Sequence, residues 1–584
     1  MKFTIYLGLA MGLGLLSAES QTPPTAQAAP AAAEQVPDFW RVPALNALVV
    51  LSSSTNINPA GVSNVSRLVI RDDLPLLRGP EFQKVVAPYL WQPMTEARMK
   101  SLQQDIILFY RTHNRPLVDV FYPEQVVDNG NLQVVVLEGK LKEIRVQDKN
   151  GRPLTNGWTS AQDIRNGISL KPGAPILEST LNADLDWLNR NPFRRVDALY
   201  KQGADFGESD LVLHVDEQRP FKVFAGYEDS GSRLADEDRV LAGFNWGKAF
   251  GLTDNQFGYQ FIGNPGLDKL RAHSASYAFP LPWRNIIRVF GSYVDVKGDV
   301  GNGVTLEGTS YQASMRYEMP LPFLGRYQHQ WSLGGDYKYS ENNIIFGVPS
   351  AFNTPTEIFQ LAAGYSGVLP DPWGQTGVGA QMYYSPGGLT DKNSDAAFGS
   401  YREAKAHYFY TRLSAERATK LPVTPDWRNK AVSDCFSWDI RGLGQVTTEN
   451  LLPSEQLGLG GYATARGYEE REANADQGWI ISNELRTPSF SILKFVGKSN
   501  WDDHLQLLAF WDYGRGYPKD VVQSEPDHVT FNSVGPGVRY SIGRYLALRF
   551  DYGWQLTHTG LDIDPVTKKP LQDSRGHIGV QVSF

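Results

Sequence analysis

The chain ends in strict alternation. Ile578, Val580, Val582 and Phe584 are large and apolar, whereas His577, Gly579, Gln581 and Ser583 are polar or small. This is the two-residue period of a β-strand whose faces meet different surroundings. The pattern recurs from about Pro220 onward. Within 309–319, Tyr311, Ala313, Met315, Tyr317 and Met319 share one face, and Gln312, Ser314, Arg316 and Glu318 share the other. Within 546–557, Leu546, Leu548, Phe550, Tyr552, Trp554 and Leu556 oppose Arg549, Asp551, Gln555 and Thr557. One face suits lipid and the other a wet lumen, so the expected fold of residues 219–584 is a transmembrane antiparallel β-barrel. About sixteen such strands fit, the first near Phe221 and the last near Ser574. An even number returns the C-terminus to the side where the barrel began. Long polar connections at 387–406, 448–476 and 558–573 follow odd-numbered strands, and short proline-bearing ones at 280–283 and 369–374 follow even-numbered strands. Two connections break this asymmetry: 419–434 and 488–503 are too long for tight periplasmic turns.

Before Pro220 the periodicity is mixed. Residues 66–70 read as a strand. Residues 95–110 read as a helix with Met99, Leu102, Ile106 and Phe109 on one face and Thr95 as N-cap. Residues 116–122 and 132–137 read as strands. The order then repeats with a strand at 141–146, a helix at 177–189 and strands at 195–200 and 211–215. Two successive β-α-β-β units of about 75 residues predict tandem small α+β domains at 63–139 and 140–218.

The N-terminus has the form of a signal peptide. Lys2 precedes an apolar run at 3–16, and cleavage after Ser20 or after Ala28 fits the small residues that follow. The run is too short to span a bilayer as a helix, and no later segment is long and apolar enough. Residues 21–62 read as a linker in which 43–51 is the one stretch suited to a short helix. Mean hydropathy is -0.34, a soluble-looking value that a barrel tolerates because only alternate side chains meet lipid. Fourteen Trp, 27 Tyr and 28 Phe suit aromatic girdles at two membrane interfaces, although a large soluble β-sandwich or propeller would use them too. Net charge is -7 with no basic stripe, which argues against a nucleic-acid partner. A lone Cys435 forms no internal disulfide. Nine scattered histidines show no metal-ligand spacing, and neither a nucleophile elbow nor a phosphate loop is present. Neither a cofactor nor a catalytic residue is predicted.

Several passages carry a family resemblance. Leu117 to Glu138, with Tyr122-Pro123-Glu124-Gln125 and the closing Leu137-Glu138-Gly139, is similar to the end of a first POTRA domain. Leu188-Asn189-Arg190-Asn191-Pro192-Phe193-Arg194 resembles a signature of a second. The loop 448–476 holds Ala465-Arg466-Gly467-Tyr468, similar to a Val-Arg-Gly-Phe/Tyr motif with alanine in place of valine. The strand near His504 holds Phe510-Trp511-Asp512-Tyr513-Gly514, similar to Phe-x-Asp-x-Gly. In this order they resemble the outer-membrane transporters of two-partner secretion, of the haemolysin-secretion and filamentous-adhesin-secretion type. The resemblance implies two periplasmic POTRA domains, a sixteen-stranded barrel and, in some members, an N-terminal helix that plugs it.

Parity along 505–515 points Leu505, Leu507, Ala509, Trp511 and Tyr513 outward and Gln506, Phe510, Asp512 and Gly514 inward. A buried carboxylate needs a partner or water. An inward-folded loop would bring Arg466 onto Asp512 as a two-pronged pair, with Gly467 permitting a tight backbone. Spacing alone favours a solvated Arg466 and an Asp512 bonded to water or to neighbouring strands; the resemblance implies the pair. Arg412, Glu416, Asp439, Arg441, Glu484, Arg486, Arg539, Arg549 and Asp551 also face the lumen, where mixed signs suit a mutually paired, hydrated wall.

The resemblance further implies a function. A large secreted passenger protein is captured unfolded in the periplasm by POTRA edge strands and exported through the barrel, with passenger folding outside giving direction. Outer-membrane lipid surrounds the barrel, and the barrel assembly machinery recognises Phe584. A factor that inserts other barrels, and a passive porin, are the alternatives.

Overall fold

The computed structural model describes residues 44–72, 74–127, 129–203, 207–299, 305–341, 354–423, 426–497, 501–522, 525–561 and 571–584. The expected signal peptide, the first part of the linker and the middle of loop 558–573 lie outside them. The described residues form two units, one ending at Gln218 and one beginning at Arg219.

The N-terminal unit holds two α/β modules. In the first, β1 (Ala47–Leu51), β2 (Arg67–Ile70), α1 (Pro80–Val86), α2 (Glu96–Thr112), β3 (Val118–Phe121) and β4 (Asn131–Glu138) build a sheet ordered β2-β1-β4-β3. The expected short helix at 43–51 is not formed, and the linker ends sooner than its sequence suggests. Residues 47–51 are instead an interior strand, parallel to both β2 and β4. Leu48 and Val50 enter the helix-side core with Phe82, Leu102 and Ile106, while Val49 and Leu51 pack on the opposite face with Val62 and Val135. A strand covered on both faces needs a continuous apolar run, which is why Ala47-Leu48-Val49-Val50-Leu51 shows no alternation. Thr95 caps α2 by accepting from the Arg98 amide, as expected.

The second module contains β5 (Lys140–Asp148), α3 (Ala161–Asn166), α4 (Glu178–Leu188), β6 (Arg194–Gln202) and β7 (Glu208–Glu217) in the order β5-β7-β6. Each module thus has two helices where periodicity showed one, because α1 and α3 are too short to display a full apolar stripe.

The C-terminal unit is a closed antiparallel barrel of sixteen strands, from Phe221–Glu228 to Ser574–Ser583. The last strand pairs with the first, and main-chain bonds between Phe584 and Val223 (2.9 and 3.0 Å) extend that seam. Side chains obey the expected parity. Trp511, Leu485 and Leu413 are exposed on the outside, and Asp512, Glu484 and Tyr410 are buried inside. Long and short connections fall on alternate ends as expected, except for the two oversized turns after His407–Lys420 and Gln477–Arg486, which lie at the short-turn end.

Candidate functional site

The loop joining the strands Ser437–Thr447 and Gln477–Arg486 folds into the barrel. Its two arms form a small hairpin, Leu457–Leu459 with Ala473–Ala475, which carries the segment 460–472 inward. Arg466 at its end is 2% exposed and Asp512 on the wall is fully buried. Arg466 donates to Asp512 through Nε (2.8 Å), one terminal nitrogen (2.8 Å) and its own amide (3.1 Å). Its other terminal nitrogen reaches Glu484 at 2.6 Å and lies 3.5 Å from Asp551. Ser482 bridges, accepting from Arg466 and donating to Asp512. The guanidinium carbon stands 3.6 Å over the Phe510 ring, so the aromatic residue of the strand motif supplies a cation–π face.

The surrounding charges compensate one another. Glu484 also binds Arg441 and Arg486, Asp551 binds Arg539 and Arg549, and Arg486 reaches Asp439 at 3.1 Å. The wall charges foreseen from parity therefore meet: Glu484, Asp512 and Asp551 are buried beneath the loop, while Arg441, Arg486, Arg539 and Arg549 around them stay partly exposed. A cluster of this kind is tolerated only where each buried charge has partners. Arg412 lies apart, bonded to Gln445 and to the Glu455 carbonyl, and Glu416 stands opposite Arg441 in the strand register.

Gly467 and Tyr468 fix the loop by different means. Gly467 has φ +91°, and a Cβ there would stand 2.9 Å from the Gly553 carbonyl carbon. Its amide donates to His577 Nε2, and its carbonyl accepts from Gln555. The strands Val529–Ile542 and Leu546–Thr557 slip register between Asn532 and Ser533. The Tyr468 hydroxyl enters that bulge, accepts from the Asn532 amide and lies within hydrogen-bonding distance of the Asn532 and Thr557 carbonyls. It thereby satisfies backbone groups that the bulge strands. Gly514, the last motif residue, clears the Trp479 carbonyl: a Cβ would come within 3.0 Å of it. Phe584 takes no part in this site. It is 72% exposed on the outer face with Val582.

A second attachment escaped sequence analysis. Glu455, near the loop's base, is fully buried and pairs with Lys338 at 2.6 Å and with the Tyr410 hydroxyl at 2.7 Å, while its carbonyl accepts from Arg412 and Gln445. Nothing local in the sequence distinguishes Glu455 from a solvated loop glutamate. Among the described residues, no His/Cys/Asp/Glu group suits a metal ion.

A closed sixteen-strand barrel with an arginine-tipped loop held in its lumen, together with N-terminal α/β modules, defines a POTRA-bearing outer-membrane barrel. Residues 207–345 and 387–538 match the haemolysin secretion/activation protein family ShlB/FhaC/HecB, and residues 66–139 match the POTRA domain of ShlB type. The chain belongs to that secretion family; it is an outer-membrane transporter with its POTRA domains in the periplasm. Similar curated proteins include the heme/hemopexin transporter protein HuxB of Haemophilus influenzae, 22% identical over 477 residues (79% of this chain, 78% of that one). The hemolysin transporter protein ShlB of Serratia marcescens is 22% identical over 446 residues (75% and 73%). The solved structure of CdiB from Escherichia coli shares the fold, with a TM-score of 0.69 at 16% identity, covering 97% of this chain and 94% of that one. The strand Ala47–Leu51 precedes the POTRA match and lies between two strands that belong to it.

Proposed function

We propose that this transporter captures one or a few large secreted proteins as extended periplasmic chains and passes them through the barrel when the loop 448–476 leaves the lumen. The observation that carries this reading is the buried Arg466 centre: the loop occupies the path, so polypeptide passes only if those bonds are exchanged for others. Arg466 and Asp512 hold the inward loop, Gly467 and Tyr468 fix its backbone, and Glu455 with Lys338 holds its base. In the periplasm, strands β2 and β3 are the edges of the first sheet, and β5 and β6 those of the second. An incoming strand gains main-chain hydrogen bonds at such edges with little demand on sequence. No ATP-binding motif is present, and passenger folding outside the cell supplies direction. The exposed Phe584 serves recognition by the barrel assembly machinery.

The test is deletion of the gene followed by comparison of secreted and outer-membrane proteomes. Export predicts loss of one or a few secreted proteins with other barrels intact. Broad loss of outer-membrane barrels would instead indicate an assembly factor, and altered small-solute uptake alone would indicate a porin.

A further inference from the structure

The two connections that are too long for periplasmic turns fold against each other. The Ser489 amide donates to the Ser433 carbonyl at 2.8 Å, joining the turn 487–502 to the turn 421–436. The second turn rests in addition on its neighbour at the rim, where the Trp427 and Trp373 rings lie 4.5 Å apart. The described part of this turn, residues 487–497, is tied to the strand that follows. Phe490 and Leu505 exchange main-chain bonds at 2.9 and 2.7 Å, and the buried Asp503 carboxylate accepts from the Ile492 and Leu493 amides and from the Ser491 hydroxyl. What this framework presents is apolar: Phe495 is 83% exposed, Val496 64% and Trp501 53%.

Large apolar side chains this open beside an anchored segment mark a contact surface. Three features point to one occupant. Phe490 pairs with Leu505, which begins the outward series Leu505, Leu507, Ala509 and Trp511, so the turn continues the lipid-facing wall. The exposed Lys494 adjoins Phe495 in the chain, and a basic side chain beside a buried apolar group reaches phospholipid headgroups. Both turns lie at the periplasmic end, where the adjoining leaflet is phospholipid. We infer that the described parts of the paired turns, 426–436 and 487–497, form a lipid-anchored ledge whose tip, Phe495 and Val496, inserts into the periplasmic leaflet of the outer membrane. The turn 487–502 closes the hairpin that carries Glu484 and Asp512, so the ledge fixes in the membrane the wall strands on which Arg466 is held.

Electron paramagnetic resonance of the full-length chain tests this. Phe495→Cys and, separately, Val496→Cys are spin-labelled in a Cys435→Ser background and reconstituted into phosphatidylethanolamine–phosphatidylglycerol vesicles without any passenger. Trp511→Cys serves as the lipid-wall control and Lys149→Cys as the aqueous control. Collision with oxygen should exceed collision with a water-soluble nickel chelate, with a ratio several-fold above that at residue 149 and approaching that at residue 511. A ratio equal to that at residue 149 would place the tip in water and overturn the inference. Low collision with both reagents would overturn it in favour of contact with protein.

Discussion

Gly467 and Gly553 touch backbone to backbone: a Cβ on Gly553 would lie 2.6 Å from the Gly467 nitrogen, and one on Gly467 would lie 2.9 Å from the Gly553 carbonyl carbon. The loop thus lies directly on the wall, and its position depends on two residues without side chains, in segments far apart in the chain. Gly467→Ala and Gly553→Ala should each lift the loop at a cost of about 1–3 kcal/mol, the first also through its positive φ. The barrel's strand pairing should persist. Protease sensitivity of 448–476 should rise in both variants while heat-modifiable gel migration stays normal; unchanged sensitivity would show that the loop does not depend on this contact.

Removing Arg466 should be worse than removing Asp512. In Asp512→Ala, Arg466 keeps Glu484 and lies near Asp551; in Arg466→Ala, the buried Asp512 loses its only ion-pair partner among the described residues. An uncompensated buried charge costs about 3–5 kcal/mol. Secretion normalised to inserted barrel should fall most in Arg466→Ala. The double variant should be no worse than that single, because the charge left behind is also gone. Multiplicative losses would show that the two residues act independently.

The base of the loop should loosen separately. Glu455→Gln keeps a group that can meet the Tyr410 hydroxyl but loses the pairing with Lys338, and Lys338→Met leaves the carboxylate without that ammonium. Both variants should raise single-channel opening frequency in planar bilayers, and Lys338→Met combined with Glu455→Gln should recover part of the wild-type closure. Wild-type gating in both singles would dismiss Glu455 as an anchor.

His113 gives the N-terminal unit a pH dependence. Its Nδ1 faces the Phe109 carbonyl at 2.7 Å and its Nε2 faces Glu81 at 2.9 Å, so both ring nitrogens meet acceptors and only the imidazolium satisfies both. The Phe109 carbonyl, then Glu81, hold its pKa above the usual histidine value, and it stands at the C-cap of α2, where positive charge is favoured. Because the folded value lies above the unfolded value of about 6.5, this stabilisation is complete below that pH and fades as pH rises through the folded value. Urea unfolding of the POTRA domains, followed by proteolysis in the full-length protein, should therefore show wild type losing resistance relative to His113→Gln as pH rises above about 6.5. Parallel curves for the two proteins would remove His113 as the cause.

Alternation alone determined the barrel, its strand number and which side chains face inward, because a strand's period is two and its two faces meet lipid and lumen. It placed Asp512, Glu484, Asp551 and Arg539 inside, and the motif order brought Arg466 toward Asp512. It did not reveal Ala47–Leu51 as a strand, since an interior strand covered on both faces loses the alternation that marks the others. Nor could it show that the wall charges meet under the loop, that Gly553 admits Gly467, that the Tyr468 hydroxyl fills the bulge at Asn532, or that Lys338 meets Glu455. Those contacts join segments separated by up to 117 residues, and their existence depends on barrel closure and on how far one loop folds inward. Local sequence carries the period of each strand; only the closed barrel decides which inward side chains share one buried space.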